Sequence, residues 1–216
     1  MNVSVVLVDD DELARTGLRT LLTARGLTVL ADVADGTQAL ATVSAHRPDV
    51  VLMDIQMPGL DGIKATRLLR AELADPPRII MVTTFENDEN VYDALLAGAD
   101  GFVLKRTPSQ QIADAVRTIA KGEVMLFPDA VRRLVGAHAR PVRQADAKLT
   151  ERELGVLQLM ATGRTNREIA ETLVVSLETV KTHVSSVLTK LNAANRTHAV
   201  VLAYEHGHVI PGHSDR

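Results

Sequence analysis

The sequence has no cysteine, no tryptophan and only 2% aromatic residues among its 216 positions. Without thiols it has neither a disulfide scaffold nor a thiolate metal site, and it suits a reducing cytosol. The scarcity of aromatics leaves any core to aliphatic side chains, and 46% hydrophobic residues supply enough of them. No apolar run approaches the roughly 18 residues of a membrane span. No basic region precedes the first apolar stretch, so no secretory signal and no membrane association are expected. A strong charge of one sign is also missing, the net value being −3. The balance is nevertheless uneven. Residues 1–122 hold 12 Lys/Arg against 17 Asp/Glu, residues 123–148 hold 5 against 3, and residues 149–216 hold 7 against 7. An acidic front argues against nucleic acid there, and a neutral back does not advertise it by charge alone.

The length suits two domains. Over residues 1–122, apolar β-rich runs at Val3–Val8, Leu27–Ala34, Val50–Met53, Arg78–Thr83 and Gly101–Leu104 alternate with helical patterns. The helices are expected at Glu12–Ala24, Thr37–Ala45, Gly62–Ala71, Asp88–Ala97 and Ser109–Ala120. Continuous apolar strands alternating with helices predict a five-stranded parallel sheet covered on both faces, an α/β fold. Residues 123–148 break the pattern with Gly, Pro and scattered charge, and are read as a linker. From residue 149 to 216 helical periodicity dominates, which predicts an all-α second domain. Thr150 followed by Glu153 has capping-box spacing.

The run "VVLVDDDEL" drives five apolar residues into a block of acids. Adjacent carboxylates repel, and burying them is costly unless a cation compensates. In an open parallel sheet, ligands bind beyond the carboxyl ends of the strands. Asp9 and Asp10 end the first strand, Asp54 the third and Thr83 the fourth, while Lys105 follows the fifth. Any one of these alone reads as a solvated loop residue, a turn or a helix cap. Together they bring carboxylates, a hydroxyl and an ammonium to one edge. Carboxylates without thiol or imidazole make a hard oxygen site that suits Mg²⁺, which makes the crowding tolerable. A carboxylate there can accept a phosphoryl group as an acyl phosphate. Mg²⁺, Lys105 and Thr83 are the partners such a group needs.

The stretches "VVLVDDDELARTGLR", "VLMDIQMPGLDGI", "MVTTFEND" and "ALLAGADGFVLKR" resemble the receiver domain of two-component response regulators over residues 1–122. The resemblance implies a flavodoxin-like (βα)5 fold with Asp54 as phosphoacceptor, served by a sensor histidine kinase. It implies Asp9 and Asp10 as the acidic pair, with Mg²⁺ also reaching Asp54 and the backbone carbonyl of Gln56. Thr83 and Phe102 match the switch pair, and Lys105 the family's lysine. Asp11 stands where relatives commonly have histidine; it either adds to the metal set or plays no part. Phe102 stands where many receivers have tyrosine, so its movement would involve no hydroxyl.

In "SLETVKTHVSSVLTKLN", Val180, Val184, Val187 and Leu191 form one apolar stripe. Glu178, Lys181, Thr182, Ser185 and Thr189 gather opposite, a small polar face with one cation that can approach a base edge. With "TNREIAETLVV" before it and Ser176 as cap, the segment reads as a helix-turn-helix. An ordinary helical domain with solvated faces fits the same periodicity. The whole stretch from Leu149 to Val200 is similar to the LuxR-type helix-turn-helix. That resemblance puts Lys181, Thr182 and Ser185 in the major groove of promoter DNA. Thr165, Asn166, Thr179, His183 and Lys190 become candidates for backbone contact. Together the two halves resemble the NarL/LuxR (FixJ) subclass, which implies a cytoplasmic regulator that dimerises when phosphorylated. His206 and His208 form an H-x-H, more often a surface feature than a metal site.

Two other readings compete. A Mg²⁺-dependent phosphohydrolase could use Asp54 as nucleophile. It would want a general acid two residues on, where this chain has Gln56, which cannot donate and recover a proton. A phosphorylation-independent DNA-binding dimer would have no need of the acid pair, Asp54, Thr83 and Lys105 together.

Overall fold

In the computed structural model, residues 2–83, 88–122, 131, 134, 136 and 148–209 are described. The chain divides into two compact units, Met1–Gly122 and Glu123–Arg216. The linker expected over 123–148 lies almost wholly outside the described residues.

In the first unit five strands run β1 (Ser4–Val8), β2 (Thr28–Val33), β3 (Val50–Asp54), β4 (Arg78–Thr83) and β5 (Gly101–Leu104). Five helices alternate with them: α1 (Glu12–Ala24), α2 (Ala39–His46), α3 (Gly62–Glu72), α4 (Asp88–Leu96) and α5 (Ser109–Ala120). All strand pairs are parallel, in the order β2-β1-β3-β4-β5. The order reflects the sequence. β1, β3 and β4 are continuous apolar runs and take the centre, where all five residues of β3 are buried. β2, with Ala31 and Asp32 in its middle, is only partly buried and takes an edge. The core is aliphatic as expected, with Leu7, Leu52, Ile79, Ile80 and Leu69 at 1% exposure or less. Each such side chain contributes roughly 1.5–3 kcal/mol relative to leaving it in water.

The helix expected from Thr37 begins instead with a 3-10 turn, Gly36–Gln38, before α2. The Asp35 carboxylate accepts from the Thr37 backbone N–H, an Asx turn that competes with regular helix at that point.

The second unit has α6 (Glu151–Ala161), α7 (Asn166–Leu173), α8 (Leu177–Leu191) and α9 (Arg196–Glu205). Each helix starts on a side-chain cap: Thr150, Thr165, Ser176 and Asn195. Thr150–Glu153 is a complete capping box, and Thr165–Glu168 is a second one. Val156, Leu157, Met160, Ile169, Val180 and Val187 are fully buried and hold the helices together. α7 and α8 are joined by Val174, Val175 and Ser176, a helix-turn-helix.

Candidate functional site: an acidic cluster at the sheet edge and a polar helix face

β1 and β3 are neighbours at the centre of the sheet, and the chain leaves them in opposite directions, β1 toward β2 and β3 toward β4. Such a switch point opens a crevice beyond the strand ends. Asp9 follows β1 there, with its backbone N–H bound to the Val33 carbonyl at 3.1 Å. Asp54 ends β3, opposite Val82 of β4. Both acids are buried, at 3% and 6% exposure, whereas Asp10 is exposed. One carboxylate oxygen from each of Asp9, Asp10 and Asp54 lies within 4.8 Å of the others. Among the described residues this is the one group of three or more such side chains close enough to share a metal ion.

Lys105 enters from the end of β5. Its ammonium lies 2.6 Å from Asp9 Oδ2 and 2.8 Å from Asp54 Oδ2, bridging the two strand ends. Its backbone N–H donates to the Thr83 carbonyl at 2.8 Å, which ties it to the end of β4. Burial pushes the Asp54 carboxyl above the usual range, and the Lys105 hydrogen bond opposes that only in part. Burial alone would lower the Lys105 ammonium, but the hydrogen bonds from it to Asp54 and Asp9 raise it, so it stays charged. Thr83 is buried, and Phe102 of β5, opposite Met81 of β4, is half-buried. Gln56 is exposed beside the cluster, and its N–H points at Asp54 Oδ1 at 3.4 Å.

The loop after β3 is shaped to leave this edge open. A Cβ on Gly62 would sit 1.9 Å from the Asp54 carbonyl oxygen, so only glycine lets α3 start there. The Gly62 N–H in turn bonds the Ile55 carbonyl at 3.0 Å. A cleft of about 660 Å³ runs from Asp10 and Gln56 past Met57 and Pro58 to Asn90 and Asp93, so the cluster meets solvent at Asp10.

The donor set decides which metal fits. Carboxylate oxygens alone suit a hard cation such as Mg²⁺ over softer metals. Asp11 is outside this set. Its Oδ1 accepts from the backbone N–H groups of Leu13 and Ala14, capping α1, so its carboxylate is committed to the helix.

On α8, Lys181, Thr182 and Ser185 are exposed on one side, with Thr179 beside them and His183 half-buried. The Lys181 ammonium makes a loose contact with Glu178 at 3.6 Å, while the Thr182 hydroxyl donates back to the Glu178 carbonyl. Three candidate backbone contacts have intramolecular duties. The Thr165 hydroxyl belongs to the capping box of α7. Asn166 is buried and accepts from Arg196 at 2.9 Å. The Lys190 ammonium lies 2.6 Å from Glu153 and 3.3 Å from the Lys148 carbonyl. Residue spacing could not show the partners of Asn166 and Lys190, which are 30, 37 and 42 positions away. His206 and His208 are half-buried rather than surface-exposed and meet edge to face at 6.0 Å. Among the described residues no third metal-binding side chain joins them.

Sequence reading missed one participant. Arg15, on α1, donates from Nη1 to the Asp9 carbonyl at 2.6 Å and lies 3.5 Å from Asp32. Its only sequence signal is a cation six residues past the first acid.

Comparison with known proteins identifies both units by family. Residues 5–117 match the response regulator receiver domain, and residues 147–203 match the bacterial regulatory proteins of the luxR family. The transcriptional regulatory protein LiaR of Bacillus subtilis is 39% identical over 205 residues, 94% of this chain and 97% of that protein. The response regulator protein VraR of Staphylococcus aureus is 39% identical over 209 residues, 95% of this chain and 98% of its own. Among solved structures, the response regulator ChrA of a heme-sensing two-component system is 35% identical, with a TM-score of 0.53, and covers 96% of this chain and 99% of its own. RcsB of Salmonella typhimurium is 25% identical with a TM-score of 0.55, covering 92% and 96%. The chain belongs to the two-component response regulators, with a receiver domain followed by a LuxR-type DNA-binding domain.

Proposed function

We propose that this regulator is switched by phosphorylation of Asp54. The supporting observation is the Lys105 bridge: one ammonium holds the Asp9 and Asp54 carboxylates at 2.6 and 2.8 Å, with Asp10 alongside. A carboxylate oxygen of Asp54 attacks the phosphorus of a phosphohistidine on a sensor kinase. The new O–P bond forms as the P–N bond breaks, and the departing imidazole nitrogen keeps the electron pair and takes a proton. Lys105 is placed to pair with the transferred group's oxygens. Mg²⁺, held by Asp9, Asp10, Asp54 and the Gln56 carbonyl, would offset the charge that gathers on the phosphoryl oxygens.

The transfer adds roughly −1.5 to −2 charge at the end of β3. Thr83 then closes on the phosphoryl group, and Phe102 turns into the space it leaves. The resulting shift in the α4–β5–α5 surface favours a homodimer. Residues 84–87, which precede α4 in the chain, lie outside the described residues. Two copies of α8 would then engage adjacent half-sites of promoter DNA. Lys181, Thr182 and Ser185 supply the base contacts, with Thr179 and His183 at the phosphates. Thr165, Asn166 and Lys190 are further candidates at the phosphates, their side chains also bonding within the domain. A phosphohydrolase is disfavoured because Gln56 cannot relay a proton. A phosphorylation-independent dimer would have no use for the acid cluster.

Incubation of the full-length protein with a small-molecule phosphodonor and MgCl2 separates these readings. Near-stoichiometric, slowly lost label at residue 54 and tighter promoter binding are expected, both absent in Asp54→Asn. Multiple turnovers would point to the hydrolase, and no label to the phosphorylation-independent dimer.

A further inference from the structure

We propose that Arg15 is a positioning residue for the acidic site: its grip on the Asp9 carbonyl fixes the turn that presents Asp9 and Asp10 to a divalent cation. The inference rests on the receiver reading given above and adds a residue to it.

Arg15 lies near the start of α1, where the helix dipole disfavours a cation. Its side chain is only 14% exposed. A cation kept there needs specific compensation, and two groups provide it. Nη1 donates to the Asp9 carbonyl at 2.6 Å, and Nε lies 3.5 Å from Asp32 Oδ1. Asp32 is itself fixed, because Arg19 Nε donates to its other oxygen at 2.7 Å. Arg15 therefore hangs from a rigid anchor on β2 and holds the first residue after β1.

The hold on Asp9 is three-sided. Its N–H is bound to Val33, its carbonyl to Arg15, and its Oδ1 to the Asp11 N–H at 2.9 Å. That leaves Oδ2 to meet Lys105 at 2.6 Å. The Arg15 contact is the one of these that a side chain outside the acid cluster supplies to the Asp9 backbone. Loss of it would free the peptide between Asp9 and Asp10 to rotate, and the Asp10 carboxylate is carried on that peptide.

Positioning and simple charge predict opposite signs. A cation beside an acidic site repels Mg²⁺, so as a mere charge its removal would tighten metal binding. As a positioning residue its removal weakens binding, as loss of groups that orient metal ligands generally does, by roughly 10–100-fold.

The test is calorimetric titration of the full chain with MgCl2 alone. Wild type, Arg15→Gln, Arg15→Lys and Arg19→Gln are compared, each with a thermal melt in Mg²⁺-free buffer. Arg15→Gln is expected to bind roughly tenfold more weakly. Arg15→Lys, which keeps the charge but not the planar fork, should fall between it and wild type. Arg19→Gln, which loosens Asp32 but leaves the Arg15 bond to the Asp9 carbonyl in place, should weaken binding less than Arg15→Gln does. Should Arg15→Gln not fold, Arg15→Lys against Arg19→Gln carries the comparison. Unchanged or tighter Mg²⁺ binding by the Arg15 variants, even with a lowered melting temperature, overturns the proposal. Absence of Mg²⁺ uptake by the wild type instead overturns the receiver reading on which it stands.

Discussion

Two buried acid sites in the same sheet show how residue-level electrostatics separates structure from chemistry. At one end, Asp100 takes Arg70 at 2.5 Å, Arg78 at 3.2 Å and the Ile79 N–H at 2.8 Å. One carboxylate with two guanidinium groups is saturated and holds strands together. At the other end, Asp9 and Asp54 share Lys105, and Asp10 lies alongside them. Such an excess of carboxylate over cation is the arrangement that suits a bound metal ion. The helical unit has its own charged residue with a measurable consequence. Hydrogen bonds from the Lys190 ammonium and then the Thr150 N–H hold the Glu153 carboxyl down from 4.5 to about 2. Because the folded value lies below the ordinary one, the ionised form favours the fold. Its contribution is complete above pH 4.5 and is lost as the pH falls toward about 2. Glu153→Gln should therefore lower the melting temperature of this unit by a few degrees at pH 7. Across that acid window the variant should lose less stability than the wild type, as circular dichroism melts will show.

At the scale of elements, the strands were legible in the sequence because fully buried parallel strands are continuous apolar runs. The helices of the second unit were legible through their caps as much as their periodicity. Thr150–Glu153 and Ser176 do in the structure what their spacing predicts. The start of α2 was not legible, because an Asx turn at Asp35 displaced the helix. Nor was the conformation of Val174. It closes α7 at φ 53° and ψ 50°, a left-handed backbone that a β-branched side chain adopts at a cost. Its side chain is 90% exposed and so recovers little by packing. Left-handed backbone costs an L-residue roughly 1–2 kcal/mol, a penalty glycine escapes. Val174→Gly should thus stabilise the second unit by about 1 kcal/mol after the greater entropy glycine has when unfolded. Urea denaturation measures this, and a loss of stability would mean that the exposed isopropyl group has a packing role.

At the scale of the whole molecule, two compact units with separate cores predict two calorimetric transitions. Mg²⁺ binds only the folded receiver in this account, so it should raise one transition and leave the other in place. At a hundredfold excess over its Kd the gain is about 2.7 kcal/mol. Glu153→Gln should move only the transition that Mg²⁺ leaves alone. A single transition that responds to both changes would show that the units unfold as one.

The sequence by itself determined the parallel sheet, the acids at the strand ends and the polar face of α8. These follow from local patterns: apolar runs, period, caps and the place of a charge relative to a strand. Only the tertiary structure decided how those groups are shared. It set Lys105 between Asp9 and Asp54, sent Asp11 to cap α1, brought Arg15 onto the Asp9 carbonyl and committed Lys190 to Glu153. The reason is geometric. Which of several nearby acids a cation or an N–H will meet depends on strand order and helix rotation, which are set by packing over the whole core and leave no mark at fixed spacing along the chain.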